Sequence, residues 1–429
     1  MLGKTWETAK SAGPSINGIE SRQRHGSPAP STASFSWGMP YAQVMTQMHY
    51  TPREMLERLV AFPTVSSRSN LDLIHFVEDY LHSHGIISTK VMSDCGEKAN
   101  LYATIGPSAE GGVILSGHTD VVPIDDQAWQ TDPFTLTERE GLLFGRGTCD
   151  MKAFSAIALA LVPDMSALKR PIHLALSYDE EVGCLGAPRL IDTLRATLPP
   201  VHAVIVGEPT SMRVVTGHKS IMHFDTRITG LEAHSSQQHR GVPAVMIAGK
   251  LIHWLGEKQR ENAESADPSS EFEPPYSTLH CGMIKGGTAI NITAKHCDFV
   301  TDIRTLPHED PYTYFNDYVA FVRNVVEPSM QAISQEAHID IEVHASVPGF
   351  ESPADSDAVQ LAKLLSGQNG TEVAPYAAES GQFQQAGFSV AMCGPGSIDQ
   401  AHQPNEYIST KQLDQGTEFI RRLIQFQSN

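Results

Sequence analysis

The sequence predicts an α/β protein: a discontinuous first domain with a mixed, mostly parallel sheet flanked by helices, and a ferredoxin-like α+β domain inserted into it. Three observations carry that expectation. At 429 residues the chain exceeds what one hydrophobic core usually serves. Over 51–212 short continuous apolar runs, the pattern of strands buried on both faces, alternate with stretches of helical spacing. Near residue 212 the texture changes to polar–apolar alternation, and after Pro348 the first texture returns.

Residues 1–47 stand apart: they are rich in Ser, Gly and Pro, with no sustained periodicity and no apolar signal-peptide core. A disordered extension or a start at Met45 or Met48 is expected, with a transit peptide as the alternative. Regularity begins at Thr51, an N-cap followed by Pro52 at the first helical position, so 52–62 and then 71–84 read as helices. Strands are expected at 100–105 and 113–116, a Gly-rich turn at 145–150 and a buried helix at 151–162. Runs 171–177 and 202–206 read as two more buried strands. In the insert, strand 223–229, helix 242–261, strands 278–284 and 296–304, helix 312–333 and strand 338–345 give the order β-α-β-β-α-β. Helix 357–365, strand 389–393 and helix 411–425 complete the first domain, which thus spans 48–212 and 348–429 around an insert at 213–347.

Composition excludes several classes of function. With 31 Lys+Arg against 49 Asp+Glu the formal charge is -18, unsuited to a nucleic-acid partner. The longest apolar stretch, 153–162, is far short of the roughly 18 residues a membrane-spanning helix needs. Six scattered cysteines without a CxxC pair suggest reduced thiols in a cytoplasmic protein.

Polar residues of one kind gather at the ends of these expected elements. His118, in Ser116-Gly-His118-Thr-Asp120, sits at a carboxyl-terminal strand end, where open α/β sheets place their ligands, and Asp120 can return to accept the other imidazole N–H. Asp150 closes the Gly-rich turn; Asp179-Glu180-Glu181 and Glu208 follow the next strands; His402, in Ala401-His402-Gln-Pro404, follows the last. Each has a plain alternative: a surface loop for the His-x-Asp run, a helix N-cap for Asp150, a solvated turn for the three acids. Taken jointly, two imidazoles with carboxylates suit Zn²⁺ or Co²⁺ better than Mg²⁺ or Ca²⁺. Five ligands exceed one open tetrahedral site and match two metals sharing a carboxylate.

The runs Ser116-Gly-His-Thr-Asp-Val-Val-Pro123, Gly145-Arg-Gly-Thr-Cys-Asp-Met-Lys152, Asp179-Glu-Glu181, Gly207-Glu-Pro-Thr210 and Gly394-Pro-Gly-Ser397, the last followed by Ala401-His-Gln-Pro404, carry a resemblance. In order and over residues 51–429 the chain resembles the co-catalytic metallopeptidase family of acetylornithine deacetylases, succinyl-diaminopimelate desuccinylases, aminoacylases and glutamate carboxypeptidases. Within it, Trp129-Gln-Thr-Asp-Pro-Phe134 and Thr216-Gly-His-Lys219 look most like the acetylornithine deacetylase branch.

The resemblance implies a metal-dependent amidohydrolase of N-acyl amino acids, N2-acetyl-L-ornithine first, with two divalent ions, zinc or alternatively cobalt. Asp150 would bridge them, Glu181 and His402 completing one site and His118 and Glu208 the other, with Asp120 orienting His118. Glu180 would be the general base. His234, in Gly230-Leu-Glu-Ala-His234, would reach the partner subunit's active site and stabilise the oxyanion, so that the insert serves dimerisation and lid closure in a homodimer. Arg304 would receive the substrate carboxylate, Asn291 would contact substrate or oxyanion, and Glu379 would meet a cationic substrate side chain. The stretch Ala377-Ala-Glu-Ser-Gly381 departs from the deacetylase pattern.

Overall fold

A nine-stranded mixed sheet forms the larger part of the structure, a computed structural model that describes residues 47–429. The expected N-terminal extension lies, but for its last residue, outside the described residues. At the centre of the sheet Ile172–Ser177, Gly112–His118, Val201–Val206 and Val390–Met392 run parallel, in that order. On one side Ala99–Ile105 and Ser88–Met92 add antiparallel strands; on the other come Val215–His218 and Phe350–Glu351, with Glu372–Ala374 also on Val215–His218. All residues of Gly112–His118 and Ile172–Ser177 are buried, which explains why these strands read as unbroken apolar runs. One face packs Lys152–Ala160, Pro52–Val60 and Thr410–Ser428 around Leu56, Phe154, Ile157 and Phe419; the other packs Ala187–Thr197 around Leu190, Val204 and Phe383.

The first helix starts where its capping chemistry dictates. Thr51 Oγ1 accepts from Glu54 N while the Glu54 carboxylate accepts from Thr51 N at 2.8 Å, a reciprocal cap contributing about 1 kcal/mol.

Residues 221–347 build a second, four-stranded antiparallel sheet in the order Thr278–Gly286, His296–Arg304, Ile221–Thr229, His338–Val347. Helices Ala244–Glu264 and Pro311–Phe321 close a separate core of Phe224, Leu251, Phe299 and Tyr318 on one face. The element order is the expected β-α-β-β-α-β. Two expectations need correction. Residues 213–220 do not all belong with the insert, because Val215–His218 hydrogen-bonds into the large sheet. The expected single helix over 312–333 is interrupted by a π turn at Val322–Val326 before Glu327–Gln331. Pro328 lies just beyond it and has no N–H to give the preceding turn, so the backbone pairing re-spaces there.

A small three-stranded sheet (Thr137–Arg139, Leu142–Phe144, Tyr407–Ser409) joins the chain ahead of Asp150 to the chain after His402. No described helix is long and apolar enough to cross a membrane.

Candidate metal centre

Loops at the carboxyl ends of three of the parallel strands, those that carry Glu180, Glu208 and His402, meet the Asp150 turn over one cavity of about 280 Å³. His118 ends its strand, and Asp179, with φ 56, turns the chain beyond Ile172–Ser177 so that the three adjacent acids diverge. Asp179 pairs with Lys98 outside the cavity, whereas Glu180 and Glu181 line it. Glu208 follows Gly207, which lies flush against the Phe154 ring and Gly394: a Cβ on Gly394 would come 2.1 Å from Gly207 O, so only glycine lets these two strand ends touch. Asp150 rides on the turn after the small sheet, where the Gly-rich run 145–150 was expected to put it, and not on a strand of the main sheet.

At the cavity floor Asp150 faces both imidazoles. Its Oδ1 is 3.1 Å from His118 Nε2 and its Oδ2 is 3.3 Å from His402 Nε2, while Glu181 Oε2 is 2.9 Å from that same nitrogen. Donor atoms of His118, Asp150 and Glu181 all lie within 4.8 Å of one another, close enough for one cation to touch all three.

Asp120 is placed differently from expectation. Its backbone carbonyl, at 2.9 Å, takes His118 Nδ1, and its carboxylate is 3.7 Å away from that nitrogen. The carboxylate is engaged elsewhere: Oδ1 accepts Glu180 N–H at 3.1 Å, and Oδ2 accepts Glu181 N–H at 3.3 Å and the Ser66 hydroxyl at 2.7 Å. A carbonyl on Nδ1 still fixes the tautomer that leaves the Nε2 lone pair free for a cation.

The electrostatics show what these groups lack. Burial, with Asp150 beside it, raises the Glu181 carboxyl to about 7. Burial also raises Glu180 and Glu208 well above the carboxylate range; His118 opposes this and the neighbouring acids add to it. Burial alone would depress His118, yet the Asp150 carboxylate, with Glu180 and Glu208 near, carries it well above the usual imidazole range. Hydrogen bonds to Asp150 and Glu181 lift His402 to about 10. Four crowded carboxylates out of water, stabilised only by borrowed protons, form a site that a multiply charged cation would satisfy. Glu181 Oε1 and Glu208 Oε1 are buried and have no hydrogen-bond partner among the described residues. The donor set fits one or two transition ions.

A family model described as "Peptidase family M20/M25/M40" matches residues 114–425, the span that carries all of these groups. The chain belongs to that family. It is 36% identical over 381 residues to an acetylornithine deacetylase of Shigella sonnei, covering 86% of this chain and 96% of that one. Its fold is similar to that of an M20 family metallo-carboxypeptidase of Sulfolobus solfataricus, at TM-score 0.70 and 18% identity over 88% of this chain and 99% of the other. It is also similar to a Bacillus subtilis protein described as a dinuclear metal binding peptidase from the M20 family, at TM-score 0.58 and 15% identity over 87% and 96%. The chain is therefore an M20 hydrolase, from a metal-dependent family.

The remaining expected residues fall in three places. Arg304 lines the cavity with its Nε 3.1 Å from Asp302 Oδ2, and its terminal guanidinium nitrogens have no hydrogen-bond partner among the described residues. His234 and Asn291 are exposed and adjacent, Ser235 N–H donating to Asn291 O at 3.0 Å, but neither lines this cavity. Glu379 corrects expectation: it is 1% exposed and lies beneath the site, where Ser116 donates to it at 3.1 Å and Ser177 donates to its other oxygen. A carboxylate sealed under the sheet cannot reach a substrate side chain.

Several groups in or beside the cavity went unread in the sequence. Glu406 accepts N–H groups from Gly147, Cys149 and Asp150 and pairs with buried Arg146 at 2.8 Å, so it shapes the Asp150 loop. The signal was an acid four residues after His402. His223, 3.2 Å from Asp302, and Tyr376 line the cavity from distant strands and loops and carried no local signal.

Proposed function

We propose that the chain removes an acyl group, acetyl first, from the α-amino nitrogen of an amino acid. N2-acetyl-L-ornithine, cleaved to L-ornithine and acetate in arginine biosynthesis, is the substrate we put first. The observation that carries the chemistry is the convergence of Asp150, Glu180, Glu181, Glu208 and His402 on one cavity, with His118 Nε2 3.1 Å from Asp150. The 36% identity to the acetylornithine deacetylase supports the substrate.

Two divalent ions, zinc or alternatively cobalt, would supply Lewis acidity at the scissile carbonyl and make water a stronger acid. Asp150 would offer one oxygen to each, with His118 and Glu208 on one side and Glu181 and His402 on the other. Glu180 takes the proton of the attacking water and delivers it to the departing amine. Asp302 holds Arg304 at Nε, which leaves the guanidinium fork for a bidentate grip on the substrate carboxylate. His234 lies away from the cavity of its own chain, which supports a role in the site of a second copy. There it would stabilise the oxyanion, with Asn291 beside it, in a cytoplasmic homodimer whose insert serves as dimerisation and lid domain.

A second reading, an aminoacylase for neutral side chains, is favoured by the withdrawn Glu379 and by Ile221, Val347 and Ile398 in the cavity wall. A panel of N2-acetyl-L-ornithine, N-acetyl-L-methionine, N-succinyl-diaminopimelate and dipeptides, run on zinc- or cobalt-reconstituted protein, decides between them. The highest kcat/KM on acetylornithine is the expected result. Preference for acetylmethionine selects the second reading, and hydrolysis of dipeptides alone refutes both.

A further inference from the structure

A general base needs a fixed direction. Among the described residues one side chain donates to the Glu180 carboxylate: the Cys184 thiol, whose sulfur is 3.3 Å from Glu180 Oε1. Cys184 is 2% exposed, and burial next to Glu180 pushes its thiol well up, so the S–H proton is retained for donation.

The turn is built to bring that sulfur back under Glu180. Gly183 N–H and Cys184 N–H donate to Glu180 O at 3.0 and 2.9 Å, and Leu185 N–H donates to Asp179 O at 3.0 Å. Cys184 itself adopts φ 54, a left-handed backbone that non-glycine residues keep only where their surroundings enforce it. The enforcement is visible. Gln382 Nε2 donates to Cys184 O at 3.2 Å, and a Cβ on Gly186 would come 2.2 Å from Tyr178 O, so the turn cannot slide. A side chain held in an unfavourable backbone, pointed inward and bonded to one oxygen of the base, has a purpose beyond filling space.

We propose that Cys184 is a positioning residue for Glu180: its thiol holds one carboxylate oxygen so that the other faces the cavity for proton transfer. The proposal rests on the reading of Glu180 as general base. The thiol keeps its proton throughout the cycle and touches neither substrate nor metal.

The test uses the full, metal-reconstituted chain and the best substrate of the panel above. In Cys184→Ala, kcat falls about tenfold while KM and bound metal, by elemental analysis, stay unchanged. Cys184→Ser keeps a donor and stays within about threefold of the parent. Cys184→Gly, suited to the left-handed backbone, matches the alanine variant even if that one folds poorly. In a Glu180→Asp background, where the carboxylate is withdrawn, removing the thiol changes kcat by less than about twofold. Parental kcat in both Cys184→Ala and Cys184→Gly overturns the proposal. Equal losses in the serine and alanine variants, or in both backgrounds, overturn it too, because they indicate packing alone. Turnover surviving in Glu180→Gln refutes the base assignment itself, whereas an inactive Glu180→Gln beside a fully active Cys184→Ala removes only the thiol's role.

Discussion

The Glu406 carboxylate accepts the backbone N–H of Asp150 at 3.0 Å, and through the same two oxygens it holds Cys149, Gly147 and Arg146. Asp150 therefore faces both imidazoles because a second acid, 256 residues later, fixes the loop that carries it. Glu406→Gln should loosen that hold. The amide places N–H against backbone N–H and leaves the buried Arg146 guanidinium uncompensated, at about 3–5 kcal/mol. We expect a lower melting temperature and, in the fraction that stays folded, less metal retained after dialysis. Folded Glu406→Gln with full metal content would show that the loop holds Asp150 unaided.

Removing the base should separate chemistry from binding. Glu180→Gln is expected to lower kcat by about 10²- to 10⁴-fold, the range of general acid–base contributions, with metal stoichiometry unchanged. The measurement is steady-state kinetics beside elemental analysis, and activity near the parent level removes Glu180 from its role.

Cation uptake should expel protons. Burial and Asp150 raise Glu181 to about 7, and hydrogen bonds to Asp150 and Glu181 raise His402 to about 10, so the metal-free cluster is partly protonated at neutral pH. Titrating zinc into metal-free protein at pH 7, in buffers of different ionisation heat, should register net proton release. Apparent affinity should weaken as pH falls below about 7, because more protons must then be displaced. Binding without proton release would place the cation elsewhere.

Acid should destabilise the fold through two buried histidines outside the cluster. Burial lowers both His173 and His218 to about 4. His218 Nδ1 donates to Lys219 O at 2.9 Å while Nε2 accepts from Ala378 N–H, which leaves no room for a second ring proton. The unfolded chain, titrating near 6.5, takes up protons that the folded one refuses, so stability is complete above about pH 6.5 and is lost as pH falls towards 4. The loss is about 3 kcal/mol per histidine by the lower limit. Denaturation midpoints at pH 7.5 and 5 should show the fall, and His173→Asn should show a shallower one. Identical slopes would exclude His173 as a source.

Subunit mixing tests the distant histidine. His234→Ala and Glu180→Ala proteins, each inactive alone, should regain part of the activity once subunits exchange. Proven exchange without recovery would show that His234 does not act across an interface.

Much of the fold was legible because its strands are buried on both faces or alternate cleanly: 172–177, 201–206 and 296–304 differ by at most one residue from their expected bounds. The cluster was legible because its candidate ligands, at strand ends and on the Gly-rich turn, keep their order in the chain. What escaped were short strands whose pairing is set by distant partners, such as Val215–His218 and Leu142–Phe144. Side-chain direction escaped as well. Nothing local told that Glu379 would point under the sheet to Ser116 and Ser177, or that Asp120 would offer its carbonyl to His118.

Asp120 also ties two functions to one group. Glu180 hangs from one of its oxygens by a main-chain amide and Glu181 from the other. The proposed proton carrier and the proposed ligand beside it thus share a single suspension point, and any change that tilts this carboxylate displaces both at once. Variation that tunes either one alone must come from contacts made further out, around the side chains themselves.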